Sequence, residues 1–259
     1  MSVNNAPAQT VRLPPKLSWF RSWVGLVRWS LLRHKYLLPA FTAVQALFAV
    51  AIVYGLALLI PDIDNEAAHY LSSGAWTLGI IAVGCVLAPQ ITGTSKQEGL
   101  LDYQRTLSVP RSAILLADAA VWSLAALPGI AAGMIAAALR FGLDIQVDVL
   151  TVGVVLGAQF TMVSIGYAIA FWMPLNATSL VTQIIMIGGL LFSPITFPAE
   201  RLPDWAVTLH QFLPFKPTGD LIREVTFRAG EPQLLNFITA VIWAIAAYTV
   251  AYLALQRRI

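Results

Sequence analysis

Charged residues are scarce in this sequence, and their scarcity indicates the class of protein. Asp, Glu, Lys and Arg make up 11% of the 259 residues, whereas soluble domains carry roughly 25%. Hydrophobic residues make up 58%, and the mean hydropathy is +0.73. A soluble domain is therefore excluded, and the chain is predicted to be an all-α, polytopic membrane protein.

Residues that build catalytic, metal or nucleotide sites are also few. The single cysteine, Cys85, excludes a disulfide framework and a thiolate metal site within one chain. No lysine stands in a Gly-x-x-x-x-Gly-Lys-Ser/Thr pattern, so the sequence lacks a phosphate-cradling loop. The histidines, His34, His69 and His210, lie at three different loop or interface positions, and no catalytic motif accompanies them. We therefore expect no enzyme activity, no metal site and no cofactor in this chain.

Long apolar runs predict six membrane-spanning helices. About 20 apolar residues in helical form cross a hydrocarbon core that is roughly 30 Å thick. Six runs approach or exceed this length, so residues 17–259 are predicted to form one transmembrane domain. The predicted spans are about 37–60, 71–93, 112–139, 149–173, 177–192 and 234–255.

Three segments outside these spans have their own patterns. Residues 1–16 contain prolines among small polar residues and are predicted to be a disordered lead. Residues 17–35 are basic, rich in tryptophan and periodic, which predicts an amphipathic helix in the membrane interface or a basic flank that anchors the next span. Residues 193–213 are apolar but interrupted by prolines, which predicts a re-entrant or surface-lying hairpin before a polar loop that runs to Gln233.

The distribution of basic residues predicts the orientation. Six spans place both termini on one side, and the positive-inside rule makes the side with more Lys and Arg cytoplasmic. Both termini are therefore predicted to be cytoplasmic in a cell membrane, and no nucleic-acid partner is expected because the basic residues act as topological signals. Eleven basic residues lie on the predicted cytoplasmic side (Arg12, Lys16, Arg21, Arg28, Arg33, Lys35, Lys96, Arg105, Arg111, Arg257 and Arg258) against five on the other (Arg140, Arg201, Lys216, Arg223 and Arg228).

A polar island at residues 94–112 separates the second and third predicted spans. Glu98, Asp102 and Arg105 recur at i, i+4 and i+7, and leucines supply an apolar side, which is typical of a short amphipathic helix. Pro110 is expected to end this helix. The predicted orientation makes the island cytoplasmic.

The island resembles the loop between the second and third spans of type-2 ABC export permeases, particularly the daunorubicin-resistance-like drug exporters. Leu100 replaces a usual threonine, and the proline of the usual Leu-Pro pair is displaced to Pro110. The order of an interfacial helix, six spans and a broken hairpin before the sixth span also resembles this family. The residues that match are Glu98, Gly99, Leu101, Asp102, Arg105, Leu107, Val109 and Arg111.

This resemblance implies a function and partners. Such a permease resembles a half-transporter: two copies, or two related chains, enclose a pathway, and membrane lipids are further partners. Each docks a separate ATP-binding subunit, which holds ATP and Mg²⁺, through a cytoplasmic coupling helix. We therefore expect outward transport of an amphiphilic drug, lipid or lipid-linked compound. The alternative is a non-transporting sensor or assembly module that docks the same kind of ATPase.

The candidate site residues fall into three groups, each with a second interpretation. The docking candidates could form an ordinary solvated helix face, and Arg111 could be a topological signal. Asp118, an ionisable residue inside a span, is expected to pair with Arg105, Arg111 or an arginine of the N-terminal helix rather than to relay protons. The hairpin aromatics could form an outer gate or an interfacial belt. The docking candidates are Glu98, Gly99, Leu101, Asp102, Arg105 and Arg111, and the gate candidates are Phe192, Pro194, Phe197, Trp205 and Phe212.

Overall fold

The computed structural model describes residues 18–59, 63–199, 202–228 and 233–256, and these form helices and connecting turns. The prediction of an all-helical protein is confirmed for these residues. The predicted disordered lead at 1–16 and the terminal Arg257 and Arg258 lie outside them. The helices are α1 (Trp19–Arg33), α2 (Leu37–Leu59), α3 (Asn65–Ile81), α4 (Ala88–Gln97), α5 (Leu100–Thr106), α6 (Arg111–Phe141), α7 (Val149–Trp172), α8 (Leu175–Leu191), α9 (Asp204–Phe212), α10 (Phe215–Phe227) and α11 (Leu234–Gln256).

Five helical stretches in the described residues are long and apolar enough to cross a membrane: α2, the continuous helix Asn65–Gln97, α6, α7 and α11. The helix Asn65–Gln97 contains α3 and α4 and is longer than the predicted span 71–93 at both ends. The predicted fifth span, α8, is apolar but has only 17 residues. At 1.5 Å per residue it is about 25 Å long, somewhat shorter than a typical hydrocarbon core.

A π-helical segment, Ala82–Leu87, joins α3 to α4. It ends two residues before Pro89, whose ring lacks an N–H group and would clash with the carbonyl group four residues earlier in a regular α-helix. The wider π turn relieves that clash, and the N–H group of Ala88 bonds to the carbonyl oxygen of Val83 instead. The helix therefore continues through its proline without a break.

The π segment packs closely against α7 through two glycines. A Cβ atom at Gly84 would lie 2.5 Å from Met162 Cβ. At Gly166 it would overlap the carbonyl oxygen of Gly84 and lie 2.9 Å from Pro89 Cδ. Neither atom can be accommodated unless the two backbones separate.

Gly166→Ala is therefore expected to destabilise the protein by about 1–3 kcal/mol, because overpacking a tight helix contact forces the helices apart. Gly153→Ala, on the same helix, is the matched control, since a Cβ atom there meets nothing within 4 Å. Thermal unfolding of both purified variants in detergent measures the difference. Equal unfolding temperatures for Gly166→Ala and wild type would contradict the close packing.

The predicted polar loop after residue 213 is wrong over most of its length. Residues 215–227 form α10, and Leu221, Ile222 and Val225 are buried. Asp220, Arg223 and Glu224 are buried and Lys216 is half-buried. Lys216 Nζ lies 2.6 Å from Asp220 Oδ2, and Arg223 also pairs with Asp220. The polarity of the segment indicated a loop, and the i, i+4 and i+7 spacing of Lys216, Asp220 and Arg223, which is typical of a helix, was not used.

The segment before α9 is inserted among the helices rather than lying on the surface. Ser193, Pro194, Ile195 and Thr196 are all buried. Thr196 packs against Gly74 of α3, where a Cβ atom would lie 2.6 Å from Thr196 Cγ2. The surface-lying version of the predicted 193–213 hairpin is therefore wrong for residues 193–196, whereas α9 is amphipathic and exposes Trp205, Leu209 and Phe212.

Contacts between helix ends define two ends of the molecule. At one end, called the α5 side, Arg111 at the start of α6 donates to the carbonyl oxygen of Leu255 near the end of α11. At the other, called the α10 side, the backbone N–H of Gln146 donates to the carbonyl oxygen of Thr226 at 2.9 Å. Glu224 of α10 accepts from the side chain of Asn236, near the start of α11.

Candidate functional site

A left-handed glycine shapes the polar island. Helix α4 ends at Gln97, Gly99 has a φ angle of 77°, and α5 begins at Leu100. A positive φ angle favours glycine because a Cβ atom would be strained there. The predicted single amphipathic helix through Glu98, Asp102 and Arg105 is therefore wrong, because Glu98 lies before the turn and only Asp102 and Arg105 belong to α5.

Helix α5 has one buried side and one exposed side. Leu101 and Gln104 are buried, whereas the side chains of Asp102 and Glu98 are 78% and 63% exposed. Tyr103, to which sequence reasoning gave no role, is 57% exposed. The exposed side of α5 and the turn before it thus present two carboxylates and an aromatic ring to a partner or to water.

Arg105 belongs to the body side of α5. Its side chain is 19% exposed, and its Nη1 atom lies 3.1 Å from Asp102 Oδ1. With Lys96, Leu101, Asp102 and Phe171, it lines a cleft of about 300 Å³ beneath the helix. An ion pair with one exposed partner adds little stability, so the pair mainly orients Asp102.

Two basic residues connect the island to the ends of the long helices. Lys96 Nζ donates to the carbonyl oxygens of Phe171 and Met173, at the end of α7, at 3.0 and 3.3 Å. Arg111 Nη1 donates to the carbonyl oxygen of Leu255 in α11 at 3.3 Å. Cations stabilise the carbonyl groups at helix C-termini. Sequence reasoning did not assign Lys96 this contact, and Arg111 lies in α6 rather than in α5.

Helix α1 is linked to the same region. Arg33 Nη2 donates to Ser95 Oγ at 2.8 Å and lies 3.9 Å from Glu98 Oε2. Trp19 Nε1 donates to Ser112 Oγ at 3.1 Å, near the start of α6. The island therefore has contacts with α1 on one side and with α7 and α11 on the other.

Asp118 lies in α6, facing α1. Its Oδ1 atom accepts a hydrogen bond from Ser30 Oγ at 2.9 Å. The predicted partners were Arg105, Arg111 or an arginine of the N-terminal helix, whereas the hydrogen-bond donor is a serine of that helix. Serine was missed because charge alone guided that prediction.

Ser30→Ala is expected to destabilise the protein by about 1–3 kcal/mol, because it leaves the half-buried carboxylate of Asp118 without this donor. Asp118→Asn keeps an oxygen that can accept from Ser30 and is expected to lie within about 1 kcal/mol of wild type. Thermal unfolding of the two variants in detergent measures both effects. A similar loss of stability in the two variants would show that the hydrogen bond from Ser30 is not what stabilises Asp118.

The predicted gate residues do not share one environment. Pro194 is buried and Phe197 is half-buried, whereas Phe192, Trp205 and Phe212 are 63%, 71% and 72% exposed. Trp243 Nε1 of α11 donates to the carbonyl oxygen of Phe212 at 2.7 Å and holds the end of α9. A gate or an interfacial belt formed by the exposed rings stays a prediction.

The α10 side contains a polar cluster that sequence reasoning missed. Asp220 is paired with both Lys216 and Arg223, and the guanidinium carbon of Arg223 lies 3.7 Å from the centre of the Tyr70 ring. Glu224 accepts from the backbone N–H of Gln233 at 3.0 Å and from Asn236 Nδ2 at 3.3 Å. The signal for this cluster was the i, i+4, i+7 and i+8 spacing of its charges. These contacts bind α10 to α3 and α11.

Comparison with known families shows which family this chain belongs to. Residues 21–227, most of the chain, match the ABC-2 type transporter family. No curated protein sequence matches the chain. The matched region runs from α1 to the end of α10 and includes the island between the long helices Asn65–Gln97 and α6. The chain therefore belongs to the ABC-2 type transporter family and is a multi-pass membrane subunit of an ABC transporter.

Proposed function

We propose that this subunit receives work from a separate ATP-binding subunit through α5 and moves an amphiphilic drug, lipid or lipid-linked compound outward across a cell membrane. The observation that carries the proposal is the two-sided character of α5. Leu101 and Gln104 attach it to the transmembrane body, whereas Asp102 and Tyr103 are exposed for contact with a partner. Glu98, just before α5, is paired with Arg33 at 3.9 Å, but its side chain is still 63% exposed.

The contacts of the island give a route for mechanical coupling. When the partner subunits bind ATP and Mg²⁺ and close, we expect a docked α5 to move with them. Lys96 would carry that displacement to the end of α7, and Arg111 would carry it from α6 to α11. Arg33 would transmit it to α1. The proposed motion is thus a concerted shift of helix ends on the α5 side.

The proposed topology has six spans, with the shorter α8 as the fifth and α11 as the sixth. Both termini and α5 then face the cytoplasm, which agrees with the excess of basic residues on that side. Helix α1, with Trp19 and Phe20 exposed, would lie in the cytoplasmic membrane interface. Helix α9 and its exposed aromatic rings would face outward.

The proposed transporter contains two permease chains, which are copies of this one or related chains. An exposed apolar stripe on α8, spaced at helical intervals, supports a helix-to-helix contact between them. The stripe consists of Leu180, Ile184, Ile187 and Leu191, each more than half exposed. A pathway for the substrate would then lie between the two chains.

Co-purification and reconstitution test this function. The tagged full-length chain, extracted from its native membrane, is expected to retain a partner with a Gly-x-x-x-x-Gly-Lys-Ser/Thr loop. In liposomes the complex is expected to hydrolyse ATP faster when an amphiphilic substrate is present. Hydrolysis that no amphiphile stimulates would favour the non-transporting sensor module, and recovery without any ATP-binding partner would contradict the proposal.

A further inference from the structure

An apolar groove of about 640 Å³ lies between α7 and α11 on the α10 side. One wall is α7 from Val149 to Thr161, and the other is α11 from Phe237 to Ala244. Val149 directly follows Asp148, the exposed residue that caps α7. The groove therefore starts beside the polar end of α7 and runs along the two helices.

The groove wall is suited to hydrocarbon. Among the described residues that line it, none is charged, and the only side-chain hydroxyl groups belong to Thr161 and Thr218. Each hydroxyl already donates to a backbone carbonyl within its own helix, that of Gly157 at 2.8 Å and that of Pro214 at 2.6 Å. Neither hydroxyl hydrogen is left for a polar ligand, so burial of apolar surface must supply the affinity.

Two glycines make the groove deep. Gly153 and Gly157 lie one turn apart on α7, and a Cβ atom on either would meet nothing within 4 Å. By contrast, the space beside Gly84 and Gly166 is filled by a neighbouring helix. The space beside Gly153 and Gly157 is thus unoccupied by this chain.

The shape of the groove selects one kind of occupant. At its inner end the rings of Phe160 and Tyr248, with centroids 5.9 Å apart, bridge α7 and α11. At its outer end Thr218 and Leu221 of α10 line it. The α7 wall is about 18 Å long at helical rise, whereas one leaflet contributes about 15 Å of hydrocarbon. A helix that crosses the membrane needs about 30 Å of groove, which this wall does not provide. An acyl chain needs only the thickness of one leaflet, because it ends at the bilayer centre.

We propose that this groove binds an acyl chain of a bilayer phospholipid from the leaflet on the α10 side. The proposal goes beyond transport, because the groove is separate from α5 and its partner. The bound chain fills the space beside Gly153 and Gly157 and ends against Phe160. Its headgroup remains at the water interface near the start of α7.

Photo-crosslinking with a phosphatidylcholine that carries a diazirine in one acyl chain tests the site. The full-length protein, reconstituted with this lipid in nanodiscs, is irradiated and digested, and the lipid adducts are located by mass spectrometry. Adducts are expected to concentrate on residues 149–161 and 237–244. Gly153→Leu/Gly157→Leu is expected to reduce them about tenfold, the change that roughly 1.4 kcal/mol produces.

Gly55→Leu is the matched control, because Gly55 is also an exposed helical glycine with open space around it but lies on α2, outside the groove. It is expected to leave the adducts on α7 and α11 unchanged. Gly157→Ala adds only one methyl group, and we expect it to fold and to show a smaller loss of lipid adducts than the double variant. The test therefore remains decisive even if the double variant misfolds.

Two results would overturn the proposal. Equal labelling of the groove and of the exposed α2 residues Val44 and Leu47 would mean ordinary contact with bulk lipid. Protein-to-protein adducts from a photoreactive amino acid at Val154 would mean that another polypeptide covers the groove. Either result leaves the proposed transport function untouched, since that function rests on α5.

Discussion

Replacing Glu98 and Asp102 together by alanine is expected to reduce substrate-stimulated ATP hydrolysis of the reconstituted transporter at least about tenfold, because hydrogen bonds to charged groups contribute about 1.5–3 kcal/mol each. Both carboxylates are exposed in the isolated subunit, at 63% and 78% of their side chains. Their loss should therefore leave the fold intact. Hydrolysis and thermal unfolding are measured on the same preparation.

Asp144→Ala/Asp204→Ala is the matched control for this change. It also removes two exposed carboxylates, but they lie in the loop before α7 and at the start of α9, away from α5. It is expected to leave coupled hydrolysis unchanged. Normal coupling in Glu98→Ala/Asp102→Ala would contradict the docking role of these carboxylates, and equal loss in both variants would point to a general effect of charge.

Asp220→Ala is expected to destabilise the protein by about 3–5 kcal/mol, because removing one partner of a buried ion pair leaves uncompensated charge. Here the change leaves two cations, Lys216 and Arg223, without their shared carboxylate. Their side chains are only 18% and 11% exposed, so water compensates little. Thermal unfolding and the yield of detergent-extracted protein measure the effect.

Two further variants isolate the cause. Asp204→Ala removes an exposed carboxylate from the neighbouring helix and is expected to change stability by less than about 0.5 kcal/mol. Asp220→Ala/Arg223→Met removes one unpaired cation as well and is expected to recover part of the lost stability. A double variant less stable than Asp220→Ala would argue that Arg223 acts mainly through the Tyr70 ring, over which it lies.

Patterns that depend on neighbours along the chain predicted much of this fold. Helix α1 was predicted as 17–35 and runs from Trp19 to Arg33, and α7 was predicted as 149–173 and runs from Val149 to Trp172. Both helices could be predicted from the sequence because periodicity and long apolar runs are local signals. The break at Gly99 was also open to prediction, since glycine is the residue that favours a positive φ angle, but the charge spacing across it was given more weight.

Tertiary compensation explains what the sequence did not reveal. Helix α10 looked like a loop because Lys216, Asp220, Arg223 and Glu224 are polar, and only their mutual pairing and their contacts with α3 and α11 make burial tolerable. The partner of Asp118 was missed for the same reason, since Ser30 lies 88 residues away. The carboxylates of the candidate docking surface could be predicted from the sequence. The contacts of Lys96 and Arg33 could not, because they depend on which helix ends lie next to each other.

Accessibility of position 103 to a membrane-impermeant maleimide tests the central claim, that α5 is an exposed element on the cytoplasmic side. Cys85, the only native cysteine, is fully buried, so Tyr103→Cys provides a single reactive thiol. Inside-out vesicles are expected to label at this position and intact cells are not, and binding of the ATP-binding subunit should protect the thiol. Labelling in intact cells, or in neither preparation, would contradict the claim.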